Sequence, residues 1–233
     1  MHQFITSTDI AAIIPEIILT ITAITILSFE MMKPSRASIS LIISSVGLVT
    51  AGIFVIQGNI YNGVLFGGML KINPYSIYFD SLYLIAGLLT LIFSQGYLIK
   101  KGTKYKGEYP ALILFSVIGM MLMTRANDLI ILFLGLELLS LSLYVLVGFL
   151  RDNLLSNESG IKYLLLGAFS TGFFLFGASI TYGASGTTNY NEIAIAVSSG
   201  SILSNVYLSL GIGLMLIGFA FKVALAPFHM WSP

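Results

Sequence analysis

The sequence contains no cysteine. That excludes disulfides, thiolate metal sites and cysteine-held iron–sulfur clusters. Histidine is nearly as scarce: His2 and His229 are the only two, which leaves little room for haem or zinc. Charge is the third shortage. Only 9% of residues are Asp, Glu, Lys or Arg, against about 25% in a soluble domain. Hydrophobic residues make up 57%, and the mean hydropathy is +0.95. Such a chain cannot cover its surface with polar groups, so lipid is its solvent. A net charge of +1 provides no basic face, so no nucleic-acid partner is implied. A cleaved signal peptide is not indicated either. Residues 1–9 hold no Lys or Arg, and Asp9 and Glu16 are acidic.

What the chain does have is long apolar runs. Seven are long enough to span a bilayer, at roughly 10–32, 38–57, 75–99, 109–124, 128–150, 161–183 and 203–231. The predicted fold is an all-α polytopic transmembrane bundle, a single domain over 1–233. The stretches "QGNIYNGVLFGGMLKINP" and "GASGTTNYNEIAIAVSSGS" are rich in Gly, Asn and Ser and read as loops outside the membrane. "TRAND" nearly joins the fourth and fifth runs and places Arg125 and Asp128 at an interfacial turn. The first, third and fifth loops carry Lys33, Arg36, Lys100, Lys101, Lys104, Lys106, Arg151 and Lys162, whereas the others carry only Lys71 and Arg125. The positive-inside rule then puts the odd loops in the cytoplasm and the N-terminus outside. Glycine pairs such as "GVLFG" and "GAFSTG" read as close helix packing.

An ionisable group at bilayer depth costs at least ~2.5–3.5 kcal/mol, so each one asks for a reason. Glu137, in "LFLGLELLSLSLYVL", is about nine residues into its span, ~13 Å along the axis and near the bilayer centre. Lys222 sits among Leu, Ile, Phe, Ala and Val. A carboxylate and an amine buried in one bundle form a natural proton relay, because burial works against the charged form of each. The plainer alternative is a pair of structural charges, or, for the longer lysine stem, snorkelling to the interface. Pro227 removes a helix hydrogen bond and crowds the turn before it, which predicts a broken last helix with carbonyls near 223 and 224 unpaired. Such a break needs protein or a water-filled cavity around it, and a lysine beside one is an arrangement found in transporters.

The remaining charges are weaker candidates. His229, just past the proline, is either a satisfied core histidine or a proton carrier. Lys162 opens the sixth run and either snorkels, with Glu158 four residues before it as a partner, or extends a relay inward. Glu16 and Asp80 lie in the first turns of their helices and read as interfacial. Glu30 reads as a local ion pair with Lys33 and Arg36.

Three stretches carry a resemblance. "NDLIILFLGLELLSLSLYVLVGF", "ESGIKYLLLGAFSTGFFLFGASITYGASGTTN" and "FKVALAPFHMWSP" together resemble the N subunit of bacterial NADH–quinone oxidoreductase, respiratory complex I. The resemblance covers most of the chain and is strongest from about residue 108. It implies that about 109–233 begins a conserved proton-translocating core. It further implies that Glu137 matches the family's essential glutamate, and Lys222 the lysine before the break in a discontinuous helix. Other membrane-arm subunits of complex I and the lipid bilayer are the implied partners. No cofactor is implied in this chain, with NAD, flavin, iron–sulfur clusters and quinone expected in partner subunits. The implied location is the bacterial inner membrane. Members are about twice this length and built from two inverted repeats, so the chain reads as an N-terminal half, cut within a longer sequence. "LGLEL" alone is shared with multi-subunit cation/proton antiporters, the first alternative. A membrane bundle that scaffolds assembly and moves nothing is the second.

Overall fold

The computed structural model describes residues 6–32, 37–57, 62–100, 107–199 and 202–229. His2, Lys33, Arg36, Lys101, Lys104 and Lys106 lie outside the described residues, and with them half of the basic loop positions. In chain order the elements are α1 (Ser7–Ala12), α2 (Ile14–Met32), α3 (Ala37–Gln57), β1 (Gly63–Leu65) and β2 (Leu70–Ile72). They are followed by α4 (Pro74–Lys100), α5 (Glu108–Arg125), α6 (Leu129–Val147), α7 (Leu154–Ser185), α8 (Tyr190–Ser199) and α9 (Ile202–Lys222). Seven of these helices, α2 to α7 and α9, are long and apolar enough to cross a membrane. The protein is a multi-pass helical membrane protein.

The described residues gather into two compact units. The first holds residues 1–126 and 134–146, the second 127–133 and 147–233. In the first, α2, α3, α4 and α5 pack together. Helix periodicity decides which faces meet. On α2, Leu19, Ala23 and Ile26 are buried while Ile17, Ile21 and Ile24 face outward. On α3, Ile42, Val46, Val49 and Ile53 form the outward stripe, and Leu48, Ala51 and Val55 the inward one. Exposed apolar stripes of this kind suit a lipid solvent. Helix α5 is the most enclosed: 56% of its apolar stretch is buried, against 22–33% for the other six. Its Leu114, Val117 and Met121 reach the centre of the core.

Where lipid is the solvent, close contact rather than water exclusion holds helices together, and small residues permit it. A Cβ added at Gly119 of α5 would lie 2.6 Å from Leu139 N and 2.8 Å from Gly135 O of α6, so only glycine fits there. In the second unit α7 and α9 meet at Gly177, where a Cβ would lie 2.5 Å from Gly211 O. Nearby, the buried Ser170 hydroxyl donates to Gly218 O at 3.0 Å. The expected "GVLFG" pair does not work this way. Gly63 and Gly67 have φ of 149° and 62°, with nothing near the Cβ position, so they shape a turn.

Two of the expected loops hold structure. Residues 63–72 form an antiparallel hairpin with Val64 opposite Lys71. It is tied to α1 by Asp9, whose Oδ1 accepts from Phe66 N at 3.0 Å. The Thr6 hydroxyl and the Phe66 N–H hold the Asp9 carboxyl below its ordinary range. Within "NYNEIAIAVSS", Tyr190–Ser199 is the helix α8, begun by Asn189, whose side chain accepts from Asn191 N at 3.0 Å. The sixth run also starts earlier than expected, at Leu154 rather than 161. Asn153 caps it by accepting from Leu155 N and Ser156 N.

Candidate functional site

Glu137 is the ninth residue of α6 and is half-buried. Two residues back, Gly135 lies against Gly119 and Met123, and Leu138 packs on the core of the first unit. The carboxylate is therefore carried by a helix locked to α5 by glycine contacts. Lys222, Pro227 and His229 belong to the second unit, as does Lys162.

Lys222 is the last residue of α9 and is half-buried, with the buried Phe221 before it. The helix ends there by a defined motif. Ala224 N donates to Phe221 O at 3.0 Å and Leu225 N to Ala220 O at 2.8 Å, with Ala224 at φ 52°. These are the paired bonds of a Schellman ending, with alanine where glycine is usual. The regular ladder thus stops five residues before Pro227. The carbonyls of Ala220 and Phe221 change partner, so the break begins upstream of the 223 and 224 carbonyls that the proline alone suggests. The expected run to 231 is helical only to Lys222, and the ammonium group sits where the helix dipole favours a cation. The chain then passes through turns to His229, which is exposed.

Lys162 lies two turns inside α7 rather than at its start. It is 61% exposed and paired with Glu158, itself 58% exposed. Asp128 is the N-cap of α6: its Oδ1 accepts from Ile130 N at 2.8 Å and its Oδ2 from the Thr188 hydroxyl at 2.6 Å. Leu129 N donates to Thr188 O and Tyr190 N to Asn127 O, so the start of α6 is clamped to the α7–α8 connection. Burial, and then the Asp128 charge, push the Tyr190 hydroxyl up to about 12. A raised value means the neutral phenol is favoured in the folded state. Tyr190 thus stabilises the fold fully below 10, the ordinary phenol value, and loses that contribution as pH rises to about 12. Tyr190→Phe is expected to remove this part of the alkaline decline in thermal stability, and an unchanged pH profile would count against it.

Sequence reasoning missed the burial of three charges. Arg125, at the end of α5, is 3% exposed, Asp80 0% and Glu16 6%. Arg125 Nε donates to Asp80 Oδ2 at 2.7 Å. Its Nη1 lies 2.7 Å from Glu16 Oε1 and donates to Ala12 O at 3.0 Å. Ala12 ends α1, and the helix breaks at Ile13 because Pro15 has no N–H and crowds the carbonyl one turn back, that of Ala11. Rather than standing apart at their helix ends, Glu16, Asp80 and Arg125 join three helices inside the first unit. The signal was present in outline: all three stand at the same end of their runs once the spans alternate.

The comparisons with known proteins follow this geometry. The family described as NADH:quinone oxidoreductase/Mrp antiporter, transmembrane, matches residues 126–233. NADH-quinone oxidoreductase subunit N of Trichlorobacter lovleyi is 42% identical over 232 residues, covering 99% of this chain and 47% of that protein. Residues 126–233 thus carry the transmembrane domain of this antiporter-like family. It spans about half the length of the curated relatives it matches. A chain of respiratory complex I from Thermus thermophilus with bound aureothin is similar at a TM-score of 0.71 and 28% identity, over 94% of this chain and 46% of that one. The Mrp complex from Dietzia sp. DQ12-45-1b shares the antiporter-like fold, with a TM-score of 0.72 at 18% identity over 95% of this chain and 42% of that one.

Proposed function

We propose that the chain is part of a membrane-arm subunit of a proton-pumping NADH:quinone oxidoreductase. The observation that supports it best is 42% identity, over 99% of the chain, to a protein named as subunit N of that enzyme. On this reading the chain corresponds to the subunit's N-terminal half. It transfers no electrons, and NAD, flavin, iron–sulfur clusters and quinone are bound by partner subunits. The chain lies in a bacterial cell membrane with its N-terminus outside. Glu137 and Lys222 are the carboxylate and the amine of a proton relay. Pro227 lies in the break after Lys222, and Lys162 and His229 are secondary stations. Neither principal group sits at a helix end by accident of composition: Glu137 is mid-helix, and Lys222 is placed by a built termination motif.

A multi-subunit cation/proton antiporter is the second reading, favoured by the fold shared with the Mrp complex. Purification of the protein with its associated subunits from native membranes separates the two. The first reading expects NADH-driven quinone reduction to co-purify. Cation/proton exchange without that activity would overturn it.

Lys222→Arg tests whether the lysine works by exchanging a proton. Guanidinium keeps the charge but does not release its proton in proteins. Impaired proton translocation in Lys222→Arg, similar to Lys222→Met, is the expected result. Full activity in the arginine variant would reduce the lysine to a fixed counter-charge.

A further inference from the structure

The Glu16–Arg125–Asp80 cluster joins two carboxyl groups to one guanidinium in an enclosed site. Fully ionised, it carries one surplus negative charge. The hydrogen bonding is unequal in a way that places this surplus. Asp80 accepts a well-directed bond from Arg125 Nε. Glu16 touches the guanidinium through Oε1 at 2.7 Å, but no well-aligned donor from another residue reaches either of its carboxyl oxygens, and Asp80 Oδ1 has none either. Three buried oxygens without donors, in a site one positive charge short, are what a bound proton would satisfy.

No other charge among the described residues of the first unit stands ready to balance it. Helix α3 carries no titratable residue. Glu30 and Glu108 stand at the opposite ends of their helices, with Glu30 accepting from Gly107 N. Lys100 ends α4 at that same far end. On the cluster's own side, Asp9 is engaged with Thr6 and Phe66 N. Lys71 of β2 is exposed between the inward-facing Leu70 and Ile72. Tyr83, three residues past Asp80, accepts from the Thr124 hydroxyl at 3.3 Å. Glu137 adds a further acid rather than a cation, eight residues along α6 from Leu129. The first turn of α2 favours negative charge at Glu16, but a helix-end dipole is a weaker effect than burying an ion without a full partner.

We infer that this cluster is a second, buried protonation site, which binds one proton on the Glu16 carboxyl group near neutral pH. The proton turns an acceptor that lacks donors into a donor and leaves Arg125 to balance Asp80 alone. The site is chemically separate from Glu137 and Lys222. It does not depend on whether the complex is driven by quinone reduction or by cation exchange.

The test is infrared spectroscopy of the purified protein with its associated subunits. It reads the carbonyl stretch of protonated carboxylic acids in H2O and D2O at neutral pH. The wild type is expected to show a deuterium-sensitive band that Glu16→Gln removes and Asp80→Asn does not. Because glutamine resembles the neutral acid, Glu16→Gln is also expected to assemble at wild-type levels. Failure of that variant to assemble would mean that the ionised carboxylate is required, and would overturn the proposal. So would a band removed by Asp80→Asn instead, or one removed by neither variant. Loss of the wild-type band when K+ is replaced by Na+ at constant pH would make this a metal-cation site and overturn it as well.

Discussion

Glu137→Gln is expected to lower proton translocation by at least about tenfold, equivalent to ~1.4 kcal/mol in the barrier, while assembly stays at wild-type levels. Glutamine has the shape of glutamate and keeps an oxygen acceptor, but it neither binds nor releases a proton. The residue lies eight positions into α6 from Leu129, about 12 Å along the axis. No snorkelling path to either face exists for so short a side chain. Gly135 and Leu138 make contacts that position α6, and the substitution leaves those in place. A structural role therefore predicts lost assembly, whereas a relay role predicts an assembled complex that does not pump. Glu137→Asp, which restores the acid one methylene shorter, is expected to fall between the wild type and glutamine. Proteoliposomes containing the purified complex and a pH-sensitive dye distinguish these outcomes. Near-normal pumping by assembled Glu137→Gln would remove Glu137 from the relay.

Seven spans were legible because the solvent is lipid: a run of about 20 apolar residues has few other uses. Glu137 and Lys222 stood out for the same reason, as charges inside such runs. What lay outside that logic was harder to see. The first two turns of α7, "LLSNESG", are polar because they need not be buried in hydrocarbon, so only the Asn153 cap marks them as helix. The strands of the hairpin are three residues each, too short for alternation to show. The end of α9 is set by backbone bonds to Ala220 and Phe221, and alanine at the left-handed position gives none of the signal a glycine would. The buried cluster is the clearest case. Glu16, Asp80 and Arg125 each stand near the end of a run, where a charge ordinarily meets water. Their pairing follows only from the adjacency of α2, α4 and α5, and helix adjacency leaves no mark in a single sequence.

That cluster carries the largest expected effect on stability. Arg125→Met keeps an unbranched apolar stem but removes the guanidinium and its charge, leaving two buried carboxyl groups with no cation between them. Removing one partner of a buried ion pair typically costs about 3–5 kcal/mol, because an uncompensated charge is left behind. Here Asp80 also loses the Nε donor and Ala12 O loses the Nη1 donor. A loss of this size is a large part of the ~5–15 kcal/mol that separates folded from unfolded chains. Arg125→Met should therefore reduce the amount of folded protein in the membrane severely. The cause can be isolated by adding Glu16→Gln and Asp80→Asn to the same chain. Neutralising all three groups removes the stranded charge, and replacing a whole buried ionic group by neutral ones is often close to neutral in stability. The triple variant is expected to recover most of the folded protein, and Arg125→Met with Glu16→Gln alone little of it, since a protonated Glu16 adds no charge to remove and ionised Asp80 would remain. Thermal unfolding of the detergent-purified protein measures the series. Equal loss in the single and triple variants would mean that Arg125 holds α5 through its bulk and its bond to Ala12 O, and not as the cation of the cluster.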